Sequence, residues 1–212
     1  VVAKVCVDLA IPRLVYLSSA AVYGEPARLP VSESHPLNPV SPYGLSKLMG
    51  ERVIKHFSSL YGLRYVILRL FNVYGFRQHG GSYSGVIARF VERVRRGKPP
   101  IIYGDGRQTR DFIHVRDVCR VVEKVLKTEY VNEVFNVGFG KPVKIEDLAR
   151  LILRLSGLNL EPVHVPPRPG DVRHSYADIT KARQLLGFKP KIDLEEGVKE
   201  LLSGVPRLTP AF

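Results

Sequence analysis

Apolar positions fall into two rhythms along the chain. Short, nearly unbroken apolar runs at 13–17 (RLVYL), 64–70 (RYVILRL), 100–103 (PIIY) and 134–137 (VFNV) have the length of buried strands. Longer stretches with apolar residues every three or four positions predict helices over 42–61, 85–96, 115–127 and 145–156. Residues 1–10 read as the end of one more amphipathic helix. Ser41-Pro42 is a strong helix start, a hydroxyl N-cap followed by proline at the first helical position, and Gly62 stops that helix. Gly97 and Gly157 close the next two, while Asp178 and Asp193 are expected to cap short helices ending at Gly187 and near Ser203. Residues 24–40, the polar Gly-rich stretch 76–85, the turn 104–106 and the Pro-rich extended stretch 161–172 are the loops. Strand–helix–strand order predicts a parallel α/β sheet, with a smaller lobe made of the later pieces.

Composition narrows the class. Apolar residues make up 45% and charged residues 25% of the 212, the balance of a globular domain rather than a disordered chain. No apolar run approaches the roughly 18 residues of a membrane span. The only cysteines, Cys6 and Cys119, offer neither a disulfide framework nor metal-ligand spacing, so no metal is expected, and they fit a reducing, cytoplasmic compartment. With 32 basic against 20 acidic residues the net charge is +12. Such a balance suits nucleic acid, an anionic membrane surface or an anionic small substrate. The densest basic cluster, 93–98, sits at a predicted helix end where cations suit the dipole, and reads as a solvated face. With no zinc-finger or RNP-type motif and no membrane segment, neither nucleic acid nor membrane is the expected partner. The chain opens on Val1, half a helix ahead of a buried strand, and the expectation is that an N-terminal piece precedes it.

Two local patterns carry chemistry. Tyr43 and Lys47 lie four apart on the 42–61 helix, one above the other on a single face. An ammonium beside a phenol favours the phenolate and makes a general base usable near neutral pH. Taken alone, such a pair reads more readily as a surface i,i+4 contact. Ser18 and Ser19 end the first strand, at the edge of an open α/β sheet where ligands bind, and Ser19 precedes Tyr43 by 24 residues. A hydroxyl there can hydrogen-bond a substrate oxygen. Alone, it reads as a strand end turning into a loop.

The two patterns in this order are joined by further blocks: SSAAVYG at 18–24, SPYGLSK at 41–47, LRLFNVYG at 68–75, GDGRQTRDFIHVRD at 104–117, FNVG at 135–138, RPGD at 168–171 and Ala177-Asp178. On these blocks the chain resembles the extended short-chain dehydrogenase/reductases, within them the NAD-dependent epimerase/dehydratase family of nucleotide-sugar enzymes. The resemblance implies the remainder of a Rossmann-type parallel sheet over 1–75 and 113–138, its first nucleotide-binding half missing. It also implies a smaller mixed α/β substrate lobe over 76–112 and 139–212. The Gly-rich fingerprint that seats the NAD pyrophosphate is absent, and Gly138-x-Gly140 lacks its third glycine and reads as a turn.

Roles follow from the resemblance residue by residue. Tyr43 is implied as catalytic base, Lys47 as its activator and a ribose ligand of NAD, and Ser19 as the hydroxyl partner. Ser18, Tyr43, Lys47 and Phe71 are implied at the cofactor. Asn72, Tyr103, Arg110, Arg168, Asp171 and Ser175 are implied at a UDP-sugar. Arg110 and Arg168 hold the diphosphate, Asp171 a ribose hydroxyl, Tyr103 the uracil face, and Ser175 lies beside the sugar C2 substituent. Arginine suits such a group, which it binds bidentately. Asp111, His114 and Asp117 are read as structural, holding a turn and capping the next helix. A homodimer is implied, packed through the 42–61 helix and the segment ending near Ala10.

The reaction is narrowed by Ala20 and Ala21, where dehydratases and decarboxylases of the family place acids. Water loss needs an additional acid and base, whereas 4-epimerisation through a transient 4-keto sugar needs the Tyr–Ser pair alone. UDP-glucose and UDP-galactose are therefore the expected pair, with N-acetylated forms admitted if Ser175 leaves the pocket open. Other readings stay open at this point: another nucleotide-sugar epimerase or dehydratase of the family, such as a UDP-glucuronate epimerase; a non-catalytic, truncated nucleotide-binding remnant; and a nucleic-acid-binding protein supported by charge alone.

Overall fold

The computed structural model describes residues 1–78, 85–168 and 170–204. Most of the 76–85 stretch, the Pro169 of the RPGD block and residues 205–212 lie outside the described residues. In chain order the elements are α1 (Val2–Asp8), β1 (Leu14–Ser19), a 3-10 turn (Ala20–Val22), α2 (Pro42–Tyr61), β2 (Tyr65–Leu70) and β3 (Asn72–Tyr74). There follow α3 (Val86–Arg95), β4 (Ile101–Tyr103), β5 (Thr109–Arg110), β6 (Phe112–His114), α4 (Val115–Lys127) and β7 (Glu133–Val137). The chain continues with β8 (Val143–Lys144), α5 (Ile145–Ser156), β9 (Val163–Val165), α6 (Thr180–Leu186) and α7 (Leu194–Ser203).

β1, β2 and β7 form a parallel sheet in that order, with Ser18 beside Arg69 and Arg69 beside Asn136. Alternation along β2 decides which residue meets which layer. Val66 and Leu68 pack with Val121 and Val125 of α4 and Ala182 and Leu186 of α6. Tyr65 and Ile67 point the other way, onto Ile54 of α2. α2 begins as the sequence predicts: Ser41 Oγ accepts the Gly44 N–H at 3.1 Å, Pro42 follows, and Gly62 ends the helix at φ 69°. Two glycines let α2 lie flat. A Cβ on Gly44 would stand 2.5 Å from the Ala21 carbonyl oxygen, and one on Gly50 would stand 2.3 Å from the Tyr16 hydroxyl.

The smaller lobe is built from α3, α5 and α7, whose Ile87, Phe90, Leu148, Ile152 and Val198 close over Ile102 and Phe112. Parallel pairs β3–β6 and β4–β9 and the antiparallel pair β5–β8 tie it together. These strands are two or three residues long, too short for any periodicity to announce most of them.

Some expectations need correction. α6, expected in the 139–212 lobe, lies on the large sheet through Ala182, Leu186 and Phe188, because its apolar side matches the face beside α4. Its N-cap is Ile179 rather than Asp178, although Asp178 Oδ1 does accept the Thr180 N–H at 2.9 Å. His114 caps α4, its Nδ1 accepting from Arg116 N–H. Asp117 sits in the first turn and accepts the N–H groups of Lys191 and Ile192. The 93–98 cluster is a surface feature as expected, with Arg95, Arg96 and Lys98 exposed, while Arg93 holds the Pro99 carbonyl, Arg95 the last turn of α7, and Arg96 pairs with Glu92.

Candidate active site

The C-terminal edge of the sheet opens into a cleft of two adjoining cavities. One, of about 300 Å³, is lined by Ser19, Tyr43, Phe71, Asn72, Arg110, Asp171 and Ser175 among others. The other, of about 370 Å³, is lined by Arg89, Tyr103, Gln108 and Arg168, and shares Asn72, Arg110, Gly170 and Asp171 with the first. Both volumes are of small-molecule size.

In the first cavity, β1 delivers Ser19 and α2 delivers Tyr43. Ser19 Oγ accepts the Ala21 N–H at 3.2 Å, which leaves its own proton free to be donated. Tyr43 is 57% exposed. Lys47 Nζ donates to the Leu17 carbonyl at 3.0 Å and stands 5.8 Å from the Tyr43 ring centre and 5.4 Å from that of Tyr16. One donor of three is thereby fixed on β1, and the ammonium is held beside the phenol. Burial, with the charges of Glu51 and Tyr43, pushes the Tyr16 phenol up, so Tyr16 serves as a neutral floor under Lys47. Phe71, 5% exposed, forms an apolar wall. Ser18 is not brought to the cleft: its side chain is turned inward and donates to Glu51 at 2.6 Å.

The second cavity is cationic. Arg110 pairs with Asp171, and its Nη1 donates to the Thr109 carbonyl at 2.8 Å. The Arg168 guanidinium lies 3.8 Å over the Tyr103 ring, and its hydrogen bond and charge draw the Tyr103 phenol below its usual range. Asn72 is seated by two hydrogen bonds to the Asp111 carbonyl, from its backbone N–H at 2.9 Å and its side-chain amide at 3.1 Å. Asp111 gathers the N–H groups of Phe139, Gly140 and Ala177, the structural role expected of it, and burial holds its carboxyl above the usual range. Ser175 lines the first cavity, while its neighbour His174 turns away to Thr109 at 3.0 Å.

Two cleft residues are missed by sequence reasoning. Arg89, on α3, lowers into the cavity, and burial and the nearby Arg168 draw its guanidinium below the usual value. Gln108 braces the site from below, donating to the Tyr103 carbonyl at 2.7 Å. Arg89 falls within the polar pattern of an amphipathic helix, and nothing local distinguishes it from a solvated arginine.

Comparison with known proteins agrees with the motifs. The NAD dependent epimerase/dehydratase family matches residues 1–138. A Methanocaldococcus jannaschii protein provisionally named UDP-glucose 4-epimerase is 46% identical over 194 residues, 91% of this chain and 63% of that protein. The Thermotoga maritima UDP-glucose 4-epimerase, solved with UDP-glucose, superposes with a TM-score of 0.91 at 38% identity, over 95% of this chain and 65% of that one. The Methanobrevibacter ruminantium UDP-N-acetylglucosamine 4-epimerase, solved with UDP-N-acetylmuramic acid, gives 0.90 at 38% identity, over 94% and 64%. The chain therefore spans a little under two thirds of the length of these relatives.

Proposed function

The chain belongs to the NAD dependent epimerase/dehydratase family, and we propose that the protein epimerises a UDP-hexose at C4, with UDP-glucose and UDP-galactose the first pair. The observation that carries this reading is the continuity of the cleft. One end is lined by a phenol and a hydroxyl, with the Lys47 ammonium beside the phenol; the other is lined by three arginines and an aromatic ring. A nucleoside diphosphate joined to a polar, uncharged sugar matches that polarity. Ala20 and Ala21, which line the first cavity, have no acid–base capacity for a second proton transfer.

The residues present fit the nicotinamide-ribose end of NAD. Lys47 keeps two donors beyond its bond to Leu17, Tyr43 is open beside it, and Phe71 supplies an apolar wall. Reversible hydride exchange at the sugar C4 is the chemistry NAD supplies when bound. Tyr43, with the Lys47 ammonium beside its ring, takes and returns the proton of the sugar O4. Ser19 donates a hydrogen bond to the same oxygen. Arg110, Arg168 and Arg89 hold the diphosphate. Once the diphosphate takes over Arg110, Asp171 is released to accept from a ribose hydroxyl. Tyr103 covers the uracil.

The finer assignments belong to the same reading. The large sheet is the cofactor domain and the α3–α5–α7 lobe the substrate domain. The exposed apolar side chains of α1 and α2, among them Val2, Val5, Leu9, Leu45, Met49 and Val53, form a homodimer interface in the whole protein. With Ser175 on the cavity wall, the pocket admits an N-acetyl group as well as a hydroxyl. The test supplies full-length protein and NAD with UDP-glucose and follows UDP-galactose by chromatography. Conversion to an equilibrium mixture is expected. A dehydrated 4-keto-6-deoxy product, or UDP binding without conversion of any UDP-hexose, would overturn it.

A further inference from the structure

Behind the cleft a polar row is sealed inside the protein. Ser18, Arg69 and Asn136 stand side by side across the sheet, at 2%, 2% and 0% exposure. Glu51 of α2, 1% exposed, closes the row from above. Its carboxylate accepts from the Ser18 hydroxyl at 2.6 Å, from Arg69 Nε at 3.0 Å and from Arg69 Nη2 at 2.7 Å. On the other side Arg69 Nη1 donates to the Tyr23 hydroxyl at 3.0 Å, and Tyr23 donates to Asn136 at 2.7 Å.

A fully buried ion pair adds little net stability, because desolvation consumes most of the attraction, while leaving either partner alone is strongly destabilising. Such a pair acts most strongly on register, since every mispacked arrangement strands a charge. Its placement here ties it to the chemistry. Tyr43, Lys47 and Glu51 are spaced by four along α2, so they form one stripe on successive turns. Ser18 directly precedes Ser19. The Ser18–Glu51 hydrogen bond is therefore a strut from the residue beside Ser19 to the turn beyond Lys47, parallel to the Lys47–Leu17 bond. Neither Glu51 nor Arg69 lines the cleft.

We propose that Glu51 and Arg69, joined by Ser18, are positioning residues that lock α2 in register on β1 and so set the spacing of Ser19, Tyr43 and Lys47. The inference rests on Tyr43 being the base. The test measures kcat, KM and the pH profile of full-length, NAD-loaded protein with UDP-glucose. Ser18→Ala, which keeps the ion pair, is expected to lower kcat about tenfold, the scale of one lost hydrogen bond to a charged group. It should also shift the pH profile of kcat, because the spacing of Lys47 and Tyr43 changes, with KM and UDP affinity unchanged. The paired substitution Glu51→Gln with Arg69→Gln, which strands no charge, should lower kcat about 10²-fold with the same pH shift. A folded Ser18→Ala protein with wild-type kcat and pH profile would overturn the proposal, and so would losses confined to thermal stability. If the paired variant does not fold, Ser18→Ala alone decides. Tyr43→Phe is the control. Its inactivity beside a fully active Ser18→Ala sinks the positioning role alone, and its full activity sinks both.

Discussion

The two halves of the cleft are assembled on opposite plans. The Ser19–Tyr43–Lys47 half comes from β1 and α2, consecutive long elements joined by one loop. The arginine half is gathered from α3, β4, β5 and the 168–171 stretch, four separate pieces spread over about two fifths of the chain. Their charges differ in the same way. Arg110 is already paired with Asp171, and Arg168 is stacked on Tyr103, so the binding half is braced before any ligand arrives. Tyr43 stands 57% exposed, and Lys47 is held by a single backbone carbonyl. One half is cationic and internally braced; the other presents an exposed phenol and a hydroxyl. Substitutions in the two halves should therefore separate cleanly, turnover on one side and affinity on the other.

The largest effect is expected from Tyr43→Phe. Removing one oxygen leaves the helix and the arginine cavity intact, so UDP affinity by calorimetry stays within about twofold. Turnover of the full-length protein falls by about 10²-fold or more, the scale of a lost general base. Equal losses of affinity and turnover would erase the division between the halves.

The second tests the scaffold of the arginine half. His114 ends β6, directly after the strand start that follows Arg110 and Asp111, and is 1% exposed with its ring edge-on to Tyr74. Burial, then the charge of Arg116, pulls its pKa down to about 4 from 6.5. Between these values the unfolded chain binds more protons than the folded one, so stability is full above pH 6.5 and is lost as pH falls toward 4. The loss amounts to about 3 kcal/mol. Asp111, raised by burial, works in the opposite sense and softens the slope. His114→Asn keeps a capping oxygen and removes the titration. Its denaturation midpoints should vary less between pH 6.5 and 4. An unchanged slope would assign the acid sensitivity elsewhere.

Third, Arg110→Ala should weaken UDP binding about tenfold, a charge-assisted hydrogen bond offset by the Asp171 pair it already makes. The pH dependence of kcat should not move. A shifted profile would mean that the two halves are electrostatically coupled.

The same contrast explains what was legible in the sequence. Tyr43 and Lys47 are four apart on one helix, and Ser19 ends a strand whose apolar run is unbroken; each signal is local, and each element forms where the periodicity places it. The helix stops at Gly62 and Gly157 are equally local, because only a residue tolerating φ near 70° closes those turns easily. Arg110, Arg168 and Asp171 were reachable only through family blocks, since nothing near Arg168 in the chain says that Tyr103 lies under it. Arg89 had neither signal. The inward turn of the Ser18 side chain is not legible locally, because its acceptor, Glu51, is 33 residues away. The two-residue strands β5 and β8 exist by pairing alone.

The smallest effect concerns the sugar. Ser175 lines the cavity beside Ser19 and Tyr43, its backbone N–H held by the Thr109 carbonyl at 3.2 Å. His174 is engaged with Thr109, and the Tyr176 carbonyl accepts the Val31 N–H, so both neighbours are tied into the local scaffold. On the proposed reading, the hydroxymethyl side chain leaves room beside C2 of a bound hexose. Ser175→Tyr puts a ring into that room. A tyrosine at the cavity wall keeps rotamer freedom and can swing partly outward, so the change is a bias rather than a seal. The ratio of kcat/KM for UDP-N-acetylglucosamine to that for UDP-glucose should fall about fivefold, near the lower end of what a steric difference of this size supplies. Activity on UDP-glucose should stay within about twofold, because a hydroxyl needs no part of the filled volume. A ratio that does not change would remove Ser175 from the sugar site and leave the choice of C2 substituent to other side chains of the first cavity.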